Sequence, residues 1–294
     1  MKIPQRDIDR RTFLGLSALG AFLPDAFGAS EPEVSDSEDE LVELLSPDGE
    51  IVHVSKSLLK PVPDVPKNLR KGIPDRQFVM VIDLSRCGNQ RKCQAACNKA
   101  HGLSDPKNWV KIYDMQNAES TSHYWQPTIC MHCDEPPCVK VCPVDATFKR
   151  TDGIVGIDND RCIGCRFCMA ACPYSTRVFN WSEEHVNPGG DHEGLMHHTS
   201  QLGTVEKCDF CPHMITEGKL PHCVTACPNG VFYFGDLNED AVTNGDETVR
   251  FSQLIKDKGG YRLMEELGTG PRVYYLPPVN RMFPFEKEAQ EVNG

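Results

Sequence analysis

Cys162-Ile163-Gly164-Cys165-Arg166-Phe167-Cys168-Met169-Ala170-Ala171-Cys172-Pro173 is the stretch on which the reading of this chain turns. Its cysteines are spaced x2, x2 and x3, and a proline follows the last. Three related runs surround it. They are Cys87-x5-Cys93-x3-Cys97, Cys130-x2-Cys133-x4-Cys138-x3-Cys142 and Cys208-x2-Cys211-x11-Cys223-x3-Cys227. These four runs take up all 15 cysteines. Four full runs would need one more, and run one has Gln90 where its second cysteine would stand.

The spacing carries chemistry. C-x2-C-x2-C-x3-C-P is the bacterial pattern for cubane iron–sulfur sites, whose fourth cysteine ligates the neighbouring cluster. Runs two and four widen one gap but keep the final x3-Cys-Pro, at Pro143 and Pro228. Run one ends in Cys97-Asn98 and lacks the proline. The fourth cysteine of each run is expected on the helix leaving the loop. Zinc also uses Cys-x2-Cys pairs, but closed zinc sites take ligands four at a time and 15 thiols leave a remainder. A disulfide framework leaves an odd thiol and has no need of such tight runs.

The runs must pair to complete their sites. Nineteen residues separate runs two and three, against 32 and 35 for the other gaps. Runs two and three are therefore expected to form one module, with runs one and four paired around it. Cys130, Cys133 and Cys138 then hold a [4Fe–4S] cluster with Cys172, and Cys162, Cys165 and Cys168 hold one with Cys142. Cys208, Cys211 and Cys223 hold a third with Cys97. The last site has only Cys87, Cys93 and Cys227. A glutamine amide is a poor soft-metal ligand, so [3Fe–4S] is favoured there over an atypically ligated [4Fe–4S] cluster or an empty, vestigial site. The metal throughout is iron, bound through these cysteines.

The N-terminus suggests the compartment. Asp9-Arg10-Arg11-Thr12-Phe13-Leu14 precedes an uncharged stretch from Phe13 to Leu23. This reads as a twin-arginine export signal over residues 1–28. The stretch is too short to span a bilayer. A cluster protein assembled in the cytoplasm needs a route that carries folded cargo, so the two features explain each other. The full chain has a net charge of -11, with 31 basic and 42 acidic residues. Nine of the acids lie between Glu31 and Glu50, a segment without lysine or arginine. Residues 29–76 read as a linker, first acidic and then proline-rich around Pro61-Val62-Pro63-Asp64-Val65-Pro66. Without a basic patch, nucleic-acid binding is not expected.

The body is expected over residues 77–280, followed by a polar tail at 281–294. Phe78–Asp83 reads as a strand feeding run one, and Cys93–His101 as the helix after it. Trp109–Met115, Arg177–Trp181, Val231–Phe234 and Arg272–Leu276 read as strands. Ala146–Arg150 and Ile154–Asp158 flank a hairpin signal at Thr151-Asp152-Gly153. Phe251–Ile255 and Tyr261–Leu267 read as short helices. Strand, cysteine loop and short helix recurring in order predict an α+β fold of duplicated ferredoxin-like dicluster modules with loop insertions. Ser182–Gly203 holds His185, His192, His197 and His198 and reads as a solvated insertion. His132, His213 and His222 lie beside cysteines and are candidates for hydrogen bonds to sulfur. Trp125, Tyr174, Phe210 and Trp181 are candidates for screening the sites from water.

Cys130-Met131-His132-Cys133-Asp134-Glu135-Pro136-Pro137-Cys138, the run-three stretch and Lys207-Cys208-Asp209-Phe210-Cys211 together resemble the four-cluster iron–sulfur subunits of the dimethyl sulfoxide reductase type. Polysulfide reductase, tetrathionate reductase and hydrogenase electron-transfer subunits are similar. The resemblance covers roughly Gln77 to Pro277. It implies a relay of electrons between a catalytic subunit, often a molybdopterin enzyme, and a multi-span membrane subunit that handles quinone. It also implies that the site shared by runs one and four at Cys87 is an end of the wire. With no catalytic constellation of its own, the chain is expected to conduct electrons without transforming a substrate. It is expected on the periplasmic side of the membrane, peripheral and without a span of its own. The alternative is a free-standing exported polyferredoxin that shuttles between enzymes.

Overall fold

The computed structural model describes residues 41–45, 51–55, 70–103, 105–116, 122–181 and 201–278. The export signal at 1–28, most of the histidine-rich stretch and the tail at 281–294 lie outside the described residues.

The segment read as a linker contains a pair of strands. β1 (Leu41–Leu45) runs antiparallel to β2 (Ile51–Ser55), with Leu41 opposite Ser55 and Leu45 opposite Ile51. The charge count of the acidic stretch hides the short apolar runs LVELL and IVHVS, which are rich in strand-forming residues.

The body begins with β3 (Phe78–Asp83), whose six residues are all buried. An unbroken apolar run of this kind marks a strand covered on both faces. Helix α1 (Lys92–His101) follows, closed by Gly102 in the left-handed region. Then come β4 (Lys111–Met115) and β5 (Tyr124–Thr128), an antiparallel pair. Short helix α2 (Pro137–Lys140) leads to the predicted hairpin of β6 (Thr147–Lys149) and β7 (Val155–Ile157). Gly153 takes its turn at φ +87. Helix α3 (Phe167–Ala170) precedes β8 (Val178–Phe179), which pairs with β9 (Val205–Glu206). Two helices, α4 (Pro212–Thr216) and α5 (His222–Thr225), belong to run four. The chain closes through β10 (Phe232–Asp236), β11 (Ala241–Thr243), β12 (Thr248–Arg250), α6 (Phe251–Lys258), β13 (Tyr261–Arg262) and β14 (Val273–Leu276).

Tyr261–Leu267 is not the helix its composition predicts. Tyr261 and Arg262 pair with β14, Met264 is left-handed at φ 49, and only a 3-10 turn at Glu265–Leu267 remains. A left-handed residue mid-segment breaks the helical ladder before it can propagate.

One six-stranded sheet, ordered β12-β11-β10-β3-β14-β13, organises the body. β3 lies at its centre, antiparallel to β10 and parallel to β14. Alternation along β3 divides its side chains between two cores. Phe78, Met80 and Ile82 join the core that contains most of the buried cysteines. Val79 and Val81 face the other way, onto Tyr233, Val242 and Leu254. Burying each of these valines contributes roughly 1.5–3 kcal/mol. The strand entering run one is thus bonded to the strand leaving run four, and α1 packs on α5. In the same way α2 packs on α3, with the β6–β7 hairpin between runs two and three. The fold is α+β, built of two ferredoxin-like modules, one nested in sequence within the other.

Candidate metal centres

The helices next to the cysteines are shorter than the runs they serve. α2, α3 and α5 are each four residues long, and the fourth cysteines of their runs, Cys142, Cys172 and Cys227, lie just beyond them. This corrects the expectation that they sit on the exit helices. The proline after each one disfavours helical backbone at the cysteine before it. Run one has no such proline. Its helix continues for ten residues and carries both Cys93 and Cys97.

The loops reach these helices through residues in the left-handed region. In run three these are Gly164 at φ 68 and Arg166 at φ 62. Run one shows the same two turns at the equivalent positions, Asn89 at φ 56 and Arg91 at φ 55. Arg91 and Arg166 each stand at the N-cap of the following helix. Gln90 therefore occupies the backbone position that Cys165 has in run three. Left-handed backbone costs a non-glycine residue about 1–2 kcal/mol. Run one retains it without the second thiol.

The 15 cysteines are all free thiols. Thiols of different runs lie beside one another. Cys93 sits beside Cys227 and Cys87, and burial with these neighbours pushes its thiol up to about 12. Burial, then Cys208 and Cys223, hold Cys97 well above the usual thiol range. Cys211 is raised by burial, Asp209 and the thiols of Cys223, Cys97 and Cys208. Cys133 reaches about 12 through burial and the nearby Cys130, Cys138 and Cys172. Cys168 is raised by burial and by Cys162 and Cys142, against the lowering effect of Arg177. Cys142 goes the other way. Burial opposes its charge, but backbone N–H groups of Thr147, Val144 and Ala146 outweigh it. The Ala146 amide donates to its sulfur at 3.2 Å.

Two groups line measurable cavities. Cys142, Cys162, Cys165 and Cys168 line one, walled by Ile157 and Val205. Cys87, Cys93 and Cys227 line another, as does Gln90. Convergent thiols in apolar, amide-lined hollows match the soft donor set of iron–sulfur clusters. Thiols that crowd and raise one another need a cationic occupant before they ionise. The residues fit such a group at all four places.

The sequence candidates around the sulfurs are partly regrouped. His132 is fully buried and stacks on Phe210 at 3.7 Å, and its Nδ1 accepts from the Val155 amide at 3.0 Å. Burial and the charge of Lys207 keep it neutral. His213 and His222 approach each other at 3.3 Å between their Nε2 atoms. Tyr174 and Phe210 are buried, whereas Trp181 is 69% exposed and packs on Phe179. His101 was not among the candidates. Its Nε2 lies 3.4 Å from Cys211 Sγ, and its ring is 4.4 Å from that of Trp109. With Asp209 and Cys211 it brings three ligand-type atoms within 4.8 Å of one another. Only the unusual length of α1, legible in the missing proline, hinted at it. Arg177 and Lys207 were also missed as neighbours of the thiols, because a buried cation leaves no mark on cysteine spacing.

The 4Fe-4S dicluster domain family matches residues 121–188 and 194–237. The chain is 34% identical over 295 residues to a selenate reductase subunit of Mesobacillus selenatarsenatis, covering 92% of this chain and 98% of that protein. The chain belongs to the family of iron–sulfur subunits of reductase complexes. This iron–sulfur subunit is also 41% identical over 214 residues to a putative dimethyl sulfoxide reductase iron–sulfur subunit of Halobacterium salinarum, covering 68% of this chain and 78% of that one. To the iron–sulfur cluster-binding subunit of menaquinone reductase from Nitratidesulfovibrio vulgaris it is 36% identical over 230 residues, covering 67% of this chain and 87% of that one. As a member it holds multiple iron–sulfur clusters and serves as the electron-transfer subunit of an oxidoreductase complex. Among the described residues, no helix is long and apolar enough to cross a membrane.

Proposed function

We propose that the chain relays electrons through four iron–sulfur centres between a catalytic subunit of the molybdopterin type and a quinone-reactive membrane subunit. Three [4Fe–4S] clusters are assigned to Cys130, Cys133, Cys138 and Cys172, to Cys142, Cys162, Cys165 and Cys168, and to Cys97, Cys208, Cys211 and Cys223. The fourth centre, on Cys87, Cys93 and Cys227, is assigned as [3Fe–4S]. The clusters supply one-electron exchange when bound, and the chain's residues hold them, exclude water and set their electrostatic surroundings. A single observation supports the reading: thiols of different runs lie side by side, Cys93 by Cys227, Cys97 by Cys208 and Cys223, Cys133 by Cys172, and Cys168 by Cys142. The retained left-handed turns at Asn89 and Arg91 support an occupied run-one site over a vestigial one. The names of the relatives, one of which acts on menaquinone, support a quinone-linked partner.

Export by the twin-arginine route and a peripheral, periplasm-facing position complete the proposal, with residues 1–28 as signal and 77–280 as the cluster body. Anaerobic purification tests it. Iron and acid-labile sulfide should match three cubanes and one three-iron centre, and the oxidised protein should show one three-iron spin signal. Recovery from membranes with a large partner supports the complex; a soluble, solitary brown protein would instead establish the free shuttle.

A further inference from the structure

Arg177 is 4% exposed, and it lies between two of the thiol groups. Its guanidinium lies near the thiols of Cys138, Cys168 and Cys130. Nη1 donates to Thr147 Oγ1 at 3.2 Å, and the buried Nη2 has no oxygen or nitrogen partner, leaving the neighbouring thiols of Cys138 and Cys168 to meet the guanidinium. Among the described residues no carboxylate pairs with it. Burying a guanidinium in this way is unfavourable unless negative charge lies close by. The negative charge within reach is that of the thiolates and of the clusters they hold. Burial opposes its charge, yet the thiols of Cys138, Cys168 and Cys130 hold it protonated.

Lys207 repeats the arrangement at the next junction. It is 3% exposed, and its Nζ donates to the carbonyls of Val155 and of Cys208, the latter at 2.9 Å. Its charge acts on Cys130 in one group and Cys208 in the next. The group of Cys130, Cys133, Cys138 and Cys172 is therefore flanked by both buried cations, and each neighbouring group by one. Lys111 and Lys149 add to the first group, reaching Cys172 and Cys133. Arg166, at the mouth of the Cys165 site, is exposed and screened by solvent. The Cys208 site has the buried carboxylate of Asp209 beside it.

We propose that Arg177 and Lys207 are positioning residues of the electron path: they set the reduction potential of the centre on Cys130, Cys133, Cys138 and Cys172 above those of the two four-cysteine centres flanking it. The inference rests on the reading of these cysteines as cluster ligands. A reduced cluster carries one more negative charge than an oxidised one, so a fixed buried cation favours reduction. The central centre then acts as a well in which an electron pauses between the two arms of the wire.

Potentiometric titration of the full-length protein, followed by the spin signals of the reduced clusters, tests this. Signals are assigned by Cys133→Ser and Cys165→Ser, one at a time. In the wild type the central centre should have the highest midpoint of the three. Arg177→Met should shift the oxidised-to-reduced ratio at fixed potential tenfold or more at the central centre and at the Cys165 centre, which is about 59 mV for one electron. The Cys208 centre should not move. Lys207→Met should lower the central and Cys208 centres and spare the Cys165 centre, and Arg177→Lys should restore most of the loss. Variants with full iron content and unmoved midpoints overturn the proposal. So does a wild type in which the central centre is not the highest. If Arg177→Met fails to load iron, the wild-type order and Lys207→Met still decide. A Cys133→Ser variant that loses no iron would instead sink the ligand assignment.

Discussion

Replacing Gln90 with cysteine restores the one thiol that run one lacks. The backbone there is already shaped for it. Asn89 and Arg91 differ from Gly164 and Arg166 by only about 12° and 7° in φ, inside the ordinary scatter of a regular conformation. Gln90 lines the hollow at Cys87, Cys93 and Cys227, as Cys165 lines the hollow at the four-thiol site of run three. Accommodating the new ligand therefore needs little backbone adjustment. Gln90→Cys should bind one additional iron per chain and lose the three-iron spin signal, while the other three centres keep theirs. The assay is iron and labile sulfide per protein, with spin resonance of the oxidised sample. A variant that gains no iron and keeps the three-iron signal would refute the equivalence of Gln90 and Cys165. A wild type that already binds four irons at this site would instead refute the three-iron assignment.

Other perturbations follow from the same geometry. Gly164→Ala places a Cβ 2.1 Å from the Gly203 carbonyl oxygen and adds about 1–2 kcal/mol for left-handed backbone; thermal unfolding should fall and iron should be lost at the run-three site. Asp152 is fully buried and binds the Arg150 guanidinium and the Ile73 amide. Asp152→Asn leaves a buried arginine unpaired and should destabilise the holoprotein by about 3–5 kcal/mol in denaturant titration. Burial holds the thiols of Cys93, Cys133 and Cys208 up to about 12. Losing iron at neutral pH therefore takes up protons, so bleaching by a chelator should accelerate as pH falls. Bleaching that speeds up with rising pH would contradict it.

Much of this was legible in the cysteines. Their spacing points to the family and to the duplicated α+β dicluster fold, and it marks Gln90 as the departure in run one. Strands with continuous apolar runs, such as Phe78–Asp83, announced themselves. The two-residue strands at Val178–Phe179 and Val205–Glu206 are too short to show a period, and β9 went unread. β1 and β2 were masked by the acidity around them. Met264 and its left-handed turn leave no compositional trace, so the segment read as a helix. The charged residues closest to the sulfurs were the least visible of all. Arg177, Lys207 and Asp209 lie far in sequence from some of the thiols they act on. Only the packing of one module against the other brings them together.

The position of β3 also has a bearing on how the chain is made. This strand emerges early, yet its two sheet neighbours, β10 and β14, are both encoded far downstream. Until Phe232–Asp236 and Val273–Leu276 have been synthesised, its apolar residues have neither edge satisfied. The β6–β7 hairpin, with α2 and α3 beside it, is complete much sooner. The sheet can close only when nearly the whole body is present, and a chain cut short before β14 leaves β3 with an unpaired edge. The topology ties a finished sheet to β14, the last strand among the described residues.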